Sequence, residues 1–252
     1  MELAIIGLGK MGLNMCKRLL RDKHTVHAYD PATERITEAV AAGGVALTRL
    51  EAMPKLPAPR TVWVMVPSGE PTRQVIERLA TMLSPGDLVI DGGNSYYKDS
   101  VERYNQLKAR GIHFLDAGTS GGIWGLEAGY CLMVGGDTEV FVRAEPIFRS
   151  LAPKDGYALV GGPGAGHFTK MVHNGIEYGL MQAYAEGFEI LRASNQKLNL
   201  QQISHLWNQG SVVRSWLLEL AERAFTKDPD LAEIQGYVQD SGEGRWTVLA
   251  AM

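Results

Sequence analysis

The sequence predicts an α/β protein in which a Rossmann-like, doubly wound, mostly parallel sheet is followed by an all-helical domain. Two observations carry this prediction. In the first part of the chain, short runs rich in Val and Ile alternate with helical patterns, and after Gly166 the strand signal disappears. Strands separated by helices imply right-handed crossovers and therefore a parallel sheet. We place the boundary near residues 162–166, between a sheet domain over 1–164 and a helical domain over 165–252.

The strand candidates and helical patterns follow one another regularly from the N-terminus. The pairs are LAIIG then NMCKRLLRD, TVHAYD then ATERITEAVAAGG, TVWVMVP then EPTRQVIERLATML, and DLVIDGG then a helix around residues 101–109. Three more strand candidates are HFLDAG, CLMVGG and YALVGG. Gly162, Pro163 and Gly164 then break the chain before a long helix, over which apolar residues recur at helical spacing up to Leu191.

The composition indicates a globular protein without a strong overall charge. The chain has 252 residues, of which 45% are hydrophobic, and a formal net charge of −3. No basic stripe is available for nucleic acid, so a small anion would have to be bound by local geometry. Cys16 and Cys131 are too few for a disulfide or metal framework and favour a reducing compartment. We expect both to be packing residues.

The N-terminal strand pattern begins almost at once, which predicts that no signal peptide precedes the fold. No apolar run approaches the roughly 20 residues of a membrane-spanning helix. We therefore expect a cytoplasmic protein without a membrane partner.

The first strand candidate ends in a glycine-rich loop, GLGKMG. Gly7, Gly9 and Gly12 have the GxGxxG spacing, which alone is a weak signal in a chain with 29 glycines. Here the loop follows a strand, opens a helix and precedes Asp30 at the end of the second strand candidate. Such glycines let the backbone approach a pyrophosphate, and the acidic residue accepts hydrogen bonds from the ribose. The alternative is a structural turn with a surface aspartate.

Asp30 also predicts which dinucleotide is preferred. A carboxylate suits the ribose diol and repels a 2′-phosphate, and the first arginine after it is Arg35. We expect no cation near enough to offset that repulsion. NAD is therefore favoured, with NADP as the weaker alternative.

The long helix has a polar face within the string KMVHNGIEYG. Lys170, His173, Asn174, Glu177 and Tyr178 fall at i, i+3, i+4, i+7 and i+8, which is one side of a helix. Separately, each is explained by a satisfied polar residue or by a solvated face. The apolar flanks, together with the strings DGGNS and SGG after strand candidates, favour a shared ligand site because glycines there permit close backbone approach.

These motifs together resemble a known family. With GLGKMGLNM, IDGGNS, SGG at residues 120–122 and GAGHFTKMVHNGIEYG in this order, the chain resembles the 6-phosphogluconate dehydrogenases of the short, NAD-preferring type, within the wider β-hydroxyacid dehydrogenase family. The lysine and asparagine of the helix are usual in the wider family, whereas the continuation HNGIEY is characteristic of the decarboxylating branch. The resemblance implies oxidative decarboxylation of 6-phosphogluconate to ribulose 5-phosphate and CO2, without a metal.

The resemblance also implies roles for individual residues. Lys170 would be the general base that takes the proton of the substrate 3-hydroxyl, provided that burial and neighbouring groups favour its neutral form. Glu177 would be the acid that protonates carbon 1 of the enediol. The substrate would be held by Asn94, Ser120, Gly121, Gly122, His173, Asn174, Tyr178, Arg245 and Thr247. The cofactor would be bound by Gly7, Leu8, Gly9, Lys10, Met11, Gly12, Asp30, Val66 and Asn94.

The C-terminal part departs from the family pattern in two ways. Arg245 stands where longer members usually have lysine, which keeps the charge and allows a bidentate grip on phosphate. The alternative is a surface arginine in a glycine-containing loop. Longer members also continue beyond WTVLAAM with a tail that reaches a neighbouring subunit's site, so we expect either a truncated chain or an incomplete phosphate site. The helical half is too thin to bury its own apolar faces, which predicts a homodimer or homotetramer with helices packed between subunits.

Two other functions remain open from the sequence. One is a non-decarboxylating NAD-dependent dehydrogenase of a small β-hydroxy acid, for which Lys170 and Asn174 would serve while Glu177, Tyr178 and Arg245 would have no evident use. The other is a catalytically silent NAD-binding sensor.

Overall fold

Eight strands form one sheet in the N-terminal part of the computed structural model, which describes residues 1–234, 236 and 243–252. The strands are β1 Glu2–Ile6, β2 Thr25–Tyr29, β3 Val45–Ala46, β4 Thr61–Val64, β5 Leu88–Asp91, β6 His113–Ser120, β7 Cys131–Gly136 and β8 Tyr157–Gly161. Their order is β3-β2-β1-β4-β5-β6-β7-β8. Every neighbouring pair is parallel except β6 and β7, which are antiparallel.

Helices connect and follow these strands. Those of the sheet region are α1 Lys10–Arg21, α2 Thr33–Ala41, α3 Glu70–Met82, α4 Tyr97–Lys108, α5 Gly125–Ala128 and α6 Thr138–Leu151, with 3-10 turns at Leu50–Lys55 and Gly122–Trp124. The later ones are α7 Ala165–Ala193, α8 Leu200–Trp207, α9 Trp216–Lys227 and α10 Glu243–Ala251. The predicted fold class, a mostly parallel doubly wound sheet followed by helices, is confirmed.

The central strands are apolar because helices cover the sheet on both faces. In β1, Leu3 and Ile5 belong to one buried cluster and Ala4 and Ile6 to another, because successive side chains of a strand point to opposite faces of the sheet. Strands that are buried on both faces contain continuous runs of Val, Ile and Leu, so they can be recognised in the sequence.

The helices after the sheet have a smaller core of their own. Phe188, Leu218 and Phe225 are buried there, and the rings of Phe188 and Phe225 meet edge to face at 4.9 Å between centroids. The starts of α8 and α9 are capped by side chains: Asn199 accepts a hydrogen bond from Gln202 N, and Ser215 accepts one from Leu218 N. None of the helices that the structure describes combines the length and apolar character needed to cross a membrane.

The chain divides into two compact units, Met1–Met171 and Val172–Met252. The first turns of α7 belong to the first unit because they pack tightly on the sheet: a Cβ on Gly135 of β7 would lie only 2.6 Å from Gly166 N. The sequence places the boundary earlier, at 164/165, where the strand signal ends. The roles assigned to the two domains stay predictions.

Candidate active site

Four adjacent strands of the first unit end at one edge of the sheet. The loop of Gly7 follows β1, Val66 follows β4, Asn94 follows β5, and Ser120 ends β6. These strands are neighbours and parallel, so their carboxyl ends share an edge. In open α/β sheets ligands bind at this edge. The structure thus brings together most of the predicted cofactor residues.

The glycine-rich loop leaves room at the start of α1. Gly7 has a φ of +95°, and a Cβ there would collide with the Met65 carbonyl, while a Cβ on Gly12 would collide with the Gly7 carbonyl. By contrast, a Cβ placed on Gly9, the N-cap of α1, would have no atom within 4 Å among the described residues other than its own chain neighbours. The helix start is therefore open to a ligand, which fits the pyrophosphate of a dinucleotide.

Asp30 is buried and braces this loop from the end of β2. Its Oδ2 accepts hydrogen bonds from Leu8 N at 2.7 Å and from Arg35 Nη1 at 3.3 Å, and its Oδ1 accepts one from Ala32 N at 2.9 Å. The expectation that no cation lies near Asp30 is wrong. Because α2 begins at Thr33, Arg35 lies in its first turn and reaches back to the carboxylate.

A second buried carboxylate shapes the loop of Asn94. Asp91 Oδ2 accepts hydrogen bonds from Ser95 Oγ at 2.8 Å and from Arg103 Nη1 at 3.1 Å, and Oδ1 accepts one from Gly93 N at 3.2 Å. The sequence reasoning missed this pair and gave Ser95 no role. A signal existed, because helical spacing puts Arg103 on the buried side of α4, and a buried arginine requires a carboxylate partner.

Lys170 lies on α7 against β6. Its side chain is only 8% exposed, and a Cβ added to Gly118 would collide with the Lys170 Cβ. Two residues that the sequence reasoning missed surround the start of this helix. The buried Asp116 accepts hydrogen bonds from Gly164 N at 2.7 Å and His167 N at 2.8 Å. These contacts link β6 directly to the helix that carries Lys170.

The other predicted residues of α7 lie in the second unit. Asn174 is 4% exposed, whereas His173 and Glu177 are more than one third exposed, with Nδ1 and Oε2 3.7 Å apart. That pair is ionic only when the imidazole is protonated. A carboxyl group beside an imidazole is a suitable arrangement for moving a proton.

Helix α10 packs closely on α7 within the same unit. A Cβ on Gly175 would lie 2.5 Å from Thr247 Cγ2, and a Cβ on Gly244 would lie 3.7 Å from Tyr178 Cδ2. Thr247 and Tyr178 are thus beside this helix contact. Arg245 is exposed, as the alternative of a surface arginine expects, but it lies in helix α10 and not in a loop.

The cysteines and potential metal ligands suggest no additional chemistry. Burial raises the pKa of Cys16 to about 11, so it is a packing residue, as expected. Cys131 is exposed because it opens β7 at the surface, which corrects the expectation that both cysteines are packed. Within the part of the chain that the structure describes, His, Cys, Asp and Glu form no cluster of three or more that could hold a metal.

A dinucleotide-binding sheet followed by a helical unit, with a buried lysine on the first helix after the sheet, defines a class of nicotinamide-dependent oxidoreductases. The model of the NAD-binding domain of 6-phosphogluconate dehydrogenase matches residues 2–161, and that of the 6-phosphogluconate dehydrogenase C-terminal domain matches residues 166–252. The chain belongs to the 6-phosphogluconate dehydrogenase family. A nicotinamide dinucleotide is accordingly its class of cofactor.

Individual relatives agree with this assignment. The Bacillus subtilis (strain 168) protein YqeC, named as a provisional 6-phosphogluconate dehydrogenase, is 48% identical over all of this chain and 85% of its own length. An NAD(+)-dependent, decarboxylating 6-phosphogluconate dehydrogenase of Haloferax volcanii is 40% identical over all of this chain and 84% of its own length. The Plasmodium falciparum 6-phosphogluconate dehydrogenase structure matches with a TM-score of 0.90 and 28% identity, over all of this chain and 58% of that one.

Proposed function

We propose that the chain catalyses the oxidative decarboxylation of 6-phosphogluconate to ribulose 5-phosphate and CO2 with NAD as the hydride acceptor. The observation that carries the proposal is the burial of Lys170 and Asn174 on one helix, which bears Glu177 and Tyr178 on the same face one turn further on. A lysine and an asparagine would suffice for a simple β-hydroxy acid. The additional acid and phenol have a use only if a carboxyl group is lost and a phosphate is held.

Lys170 is the proposed base of the first step. It takes the proton from the 3-hydroxyl while carbon 3 is oxidised, so it must be neutral beforehand. The burial of its side chain supports this role because desolvation disfavours an ammonium ion. The close contact between β6 and α7 at Gly118 holds the base in one place.

Glu177 is the proposed acid of the last step. The 3-keto acid loses CO2 because the ketone accepts the electron pair of the breaking carbon–carbon bond. The proton that Lys170 took from this oxygen in the first step returns to it, which leaves an enediol. Carbon 1 of that enediol must then gain a proton. Glu177 lies on the same helix face as Lys170, and its neighbour His173 offers a route by which it can be reprotonated.

The phosphate end is assigned to Tyr178, Arg245 and Thr247. The packing of α10 on α7 at Gly175 brings Thr247 and the helix segment of Arg245 beside the turn that bears Tyr178. A guanidinium and two hydroxyls are suitable donors for a phosphate dianion. Asn94, Ser120, Gly121, Gly122, His173 and Asn174 remain the proposed partners of the hydroxyls and carboxylate.

The cofactor residues are those of the carboxyl edge. The open approach at Gly9 and the start of α1 would hold the pyrophosphate, and Asp30 Oδ1, with one hydrogen bond from Ala32 N, can still accept one from a ribose hydroxyl. When bound, NAD supplies the hydride acceptor. Leu8, Lys10, Met11, Val66 and Asn94 border the same region.

Measuring NADH and CO2 in parallel tests the proposal. With 6-phosphogluconate we expect one CO2 for each NADH, and with a non-phosphorylated β-hydroxy acid such as 3-hydroxypropanoate we expect little of either. NADH without CO2 would favour the non-decarboxylating dehydrogenase. If the cofactor raises the melting temperature of the protein but no substrate is converted, the silent sensor would be favoured.

A homo-oligomer is also part of the proposal. The second unit exposes several large apolar side chains that an interface between subunits would cover: Ile176, Leu180, Met181, Ile190, Leu206, Val248 and Leu249. We expect light scattering after size exclusion to give a dimer or tetramer mass. A monomer at micromolar concentration would contradict this expectation.

A further inference from the structure

The start of α7 is fixed by buried polar contacts that the proposed mechanism does not use. Asp116 of β6 accepts hydrogen bonds from Gly164 N and His167 N at 2.7 and 2.8 Å. The imidazole Nδ1 of His167 lies 2.7 Å from the hydroxyl oxygen of Ser100 on α4. All three side chains are buried. They connect the helix to two different elements of the first unit.

One face of β6 determines how close α7 approaches the sheet. Asp116 and Gly118 are two residues apart in the strand, so they lie on the same face. Asp116 binds the first turn of the helix, and Gly118 contacts it at Lys170, where even a methyl group would collide. A Cβ on Gly118 would also lie 2.7 Å from the Gly166 carbonyl. The strand thus sets the distance between helix and sheet at the position of the proposed base.

His167 restrains the rotation of the helix about its axis. It lies three residues before Lys170, which is about one turn, so both point to similar sides of α7. Its other ring nitrogen, Nε2, is buried without a hydrogen-bond partner among the residues that the structure describes. An apolar side chain would fill this space without burying an unpaired nitrogen. The directional contact to Ser100 is therefore what the histidine contributes.

We propose that Asp116, His167 and Ser100 are positioning residues that hold Lys170 in its reactive place. This inference rests on the proposed function, because it takes Lys170 as the base. A displacement of about 1 Å at a reacting group can reduce a rate by on the order of a hundredfold. Loosening one of these contacts should therefore lower kcat while leaving cofactor binding unchanged, since the glycine-rich loop lies at another strand.

A pair of substitutions at His167 tests the geometry. The amide of asparagine can occupy the position of Nδ1, whereas that of glutamine reaches the position of Nε2. We expect His167→Asn to keep kcat within about threefold of the unchanged chain, and His167→Gln and Ser100→Ala each to lower it by on the order of tenfold. Combining His167→Gln with Ser100→Ala should lower kcat little further, because both remove the same contact.

A second histidine–serine pair provides a matched control. His24 Nε2 lies 2.9 Å from Ser150 Oγ, both residues are buried, and His24 Nδ1 also has no partner among the described residues. His24 precedes β2, at the opposite edge of the sheet from the site. We expect Ser150→Ala to lower the melting temperature about as much as Ser100→Ala does, without lowering kcat. An equal loss of kcat in both variants would overturn the proposal.

Amide hydrogen exchange separates this inference from the proposed function. We expect the first turn of α7 to exchange faster in Ser100→Ala and His167→Gln than in His167→Asn. If the unchanged chain does not turn over 6-phosphogluconate, the proposed function fails, and the exchange rates still decide whether the helix start is held. Equal exchange in all three variants, or wild-type kcat in both Ser100→Ala and His167→Gln, would refute the positioning role.

Discussion

Replacing Asp30 by asparagine should by itself shift the chain from NAD toward NADP. The two carboxylate oxygens accept three donors: Leu8 N and Arg35 Nη1 on Oδ2, and Ala32 N on Oδ1. Asparagine keeps one oxygen to accept a backbone N–H and removes the negative charge. Arg35 then has no carboxylate at this position and can approach a 2′-phosphate.

The size of the effect follows from the charges. Two unit charges 4 Å apart repel by about 4 kcal/mol at the effective dielectric constant of a protein surface. Arg35 is 48% exposed, so its pairing with Asp30 is screened and offsets only about 1 kcal/mol. About 3 kcal/mol remains against NADP, and because each 1.4 kcal/mol is about tenfold, a preference for NAD of at least about tenfold is expected.

The assay compares kcat/KM for NAD and NADP at saturating 6-phosphogluconate. Asp30→Asn should raise the value for NADP at least about tenfold relative to NAD. Arg35→Ala should sharpen the preference for NAD, and adding it to Asp30→Asn should remove most of the gain. Calorimetric titration of each cofactor without substrate gives the same comparison independently of catalysis.

Equal kcat/KM for the two cofactors in the unchanged chain would refute the reasoning about Asp30. An unaltered ratio in Asp30→Asn would do so as well, provided that the variant remains folded. Stability must be checked because one backbone N–H loses its acceptor, which costs about 1–3 kcal/mol. A melting curve of each variant provides that check.

Three further predictions concern the helices. Lys170→Met should lower kcat by at least about a hundredfold with unchanged NAD affinity, and near-normal turnover of this variant would exclude the proposed base. Glu177→Gln should still form NADH in a single turnover but should slow solvent-proton incorporation at carbon 1. Arg245→Ala should raise KM for 6-phosphogluconate more than it lowers kcat, and a loss confined to kcat would remove Arg245 from the phosphate site. Gly175→Ala should destabilise the fold by about 1–3 kcal/mol through collision with α10. Gly179→Ala should not, because its Cβ would meet no described atom within 4 Å beyond its own stretch of helix. Thermal unfolding of both variants compares them.

The features that could be predicted from sequence are those set by local patterns. Strands buried on both faces, such as β1, β4 and β5, require continuous apolar residues, and the helices between them require one apolar side. Once the strands are known to be parallel, their carboxyl ends must share an edge. The proximity of the loops at Gly7, Val66 and Asn94 follows from that topology without any knowledge of side-chain contacts.

The features that could not be predicted depend on contacts between distant positions or on where a helix begins. Arg35 reaches Asp30 only because α2 starts at Thr33, and helix ends are poorly specified by propensity. Asp116 and His167 are 51 positions apart and meet because β6 lies under the start of α7. An aspartate in a strand pattern gives no indication by itself of which helix it will cap.

Glycine inside a helical pattern was the least informative residue in the sequence and has the clearest role in the structure. A glycine in a helix interior costs about 1 kcal/mol relative to alanine, so it persists only where something offsets that cost. On α7, Gly166 meets the carbonyls of β6 and β7, and Gly175 meets Thr247 of α10. At both positions a methyl group would force the neighbouring element away. The proposed base and the proposed phosphate site are thus each located by a contact that only glycine permits, which explains why residues of ordinary helix propensity could not replace it there.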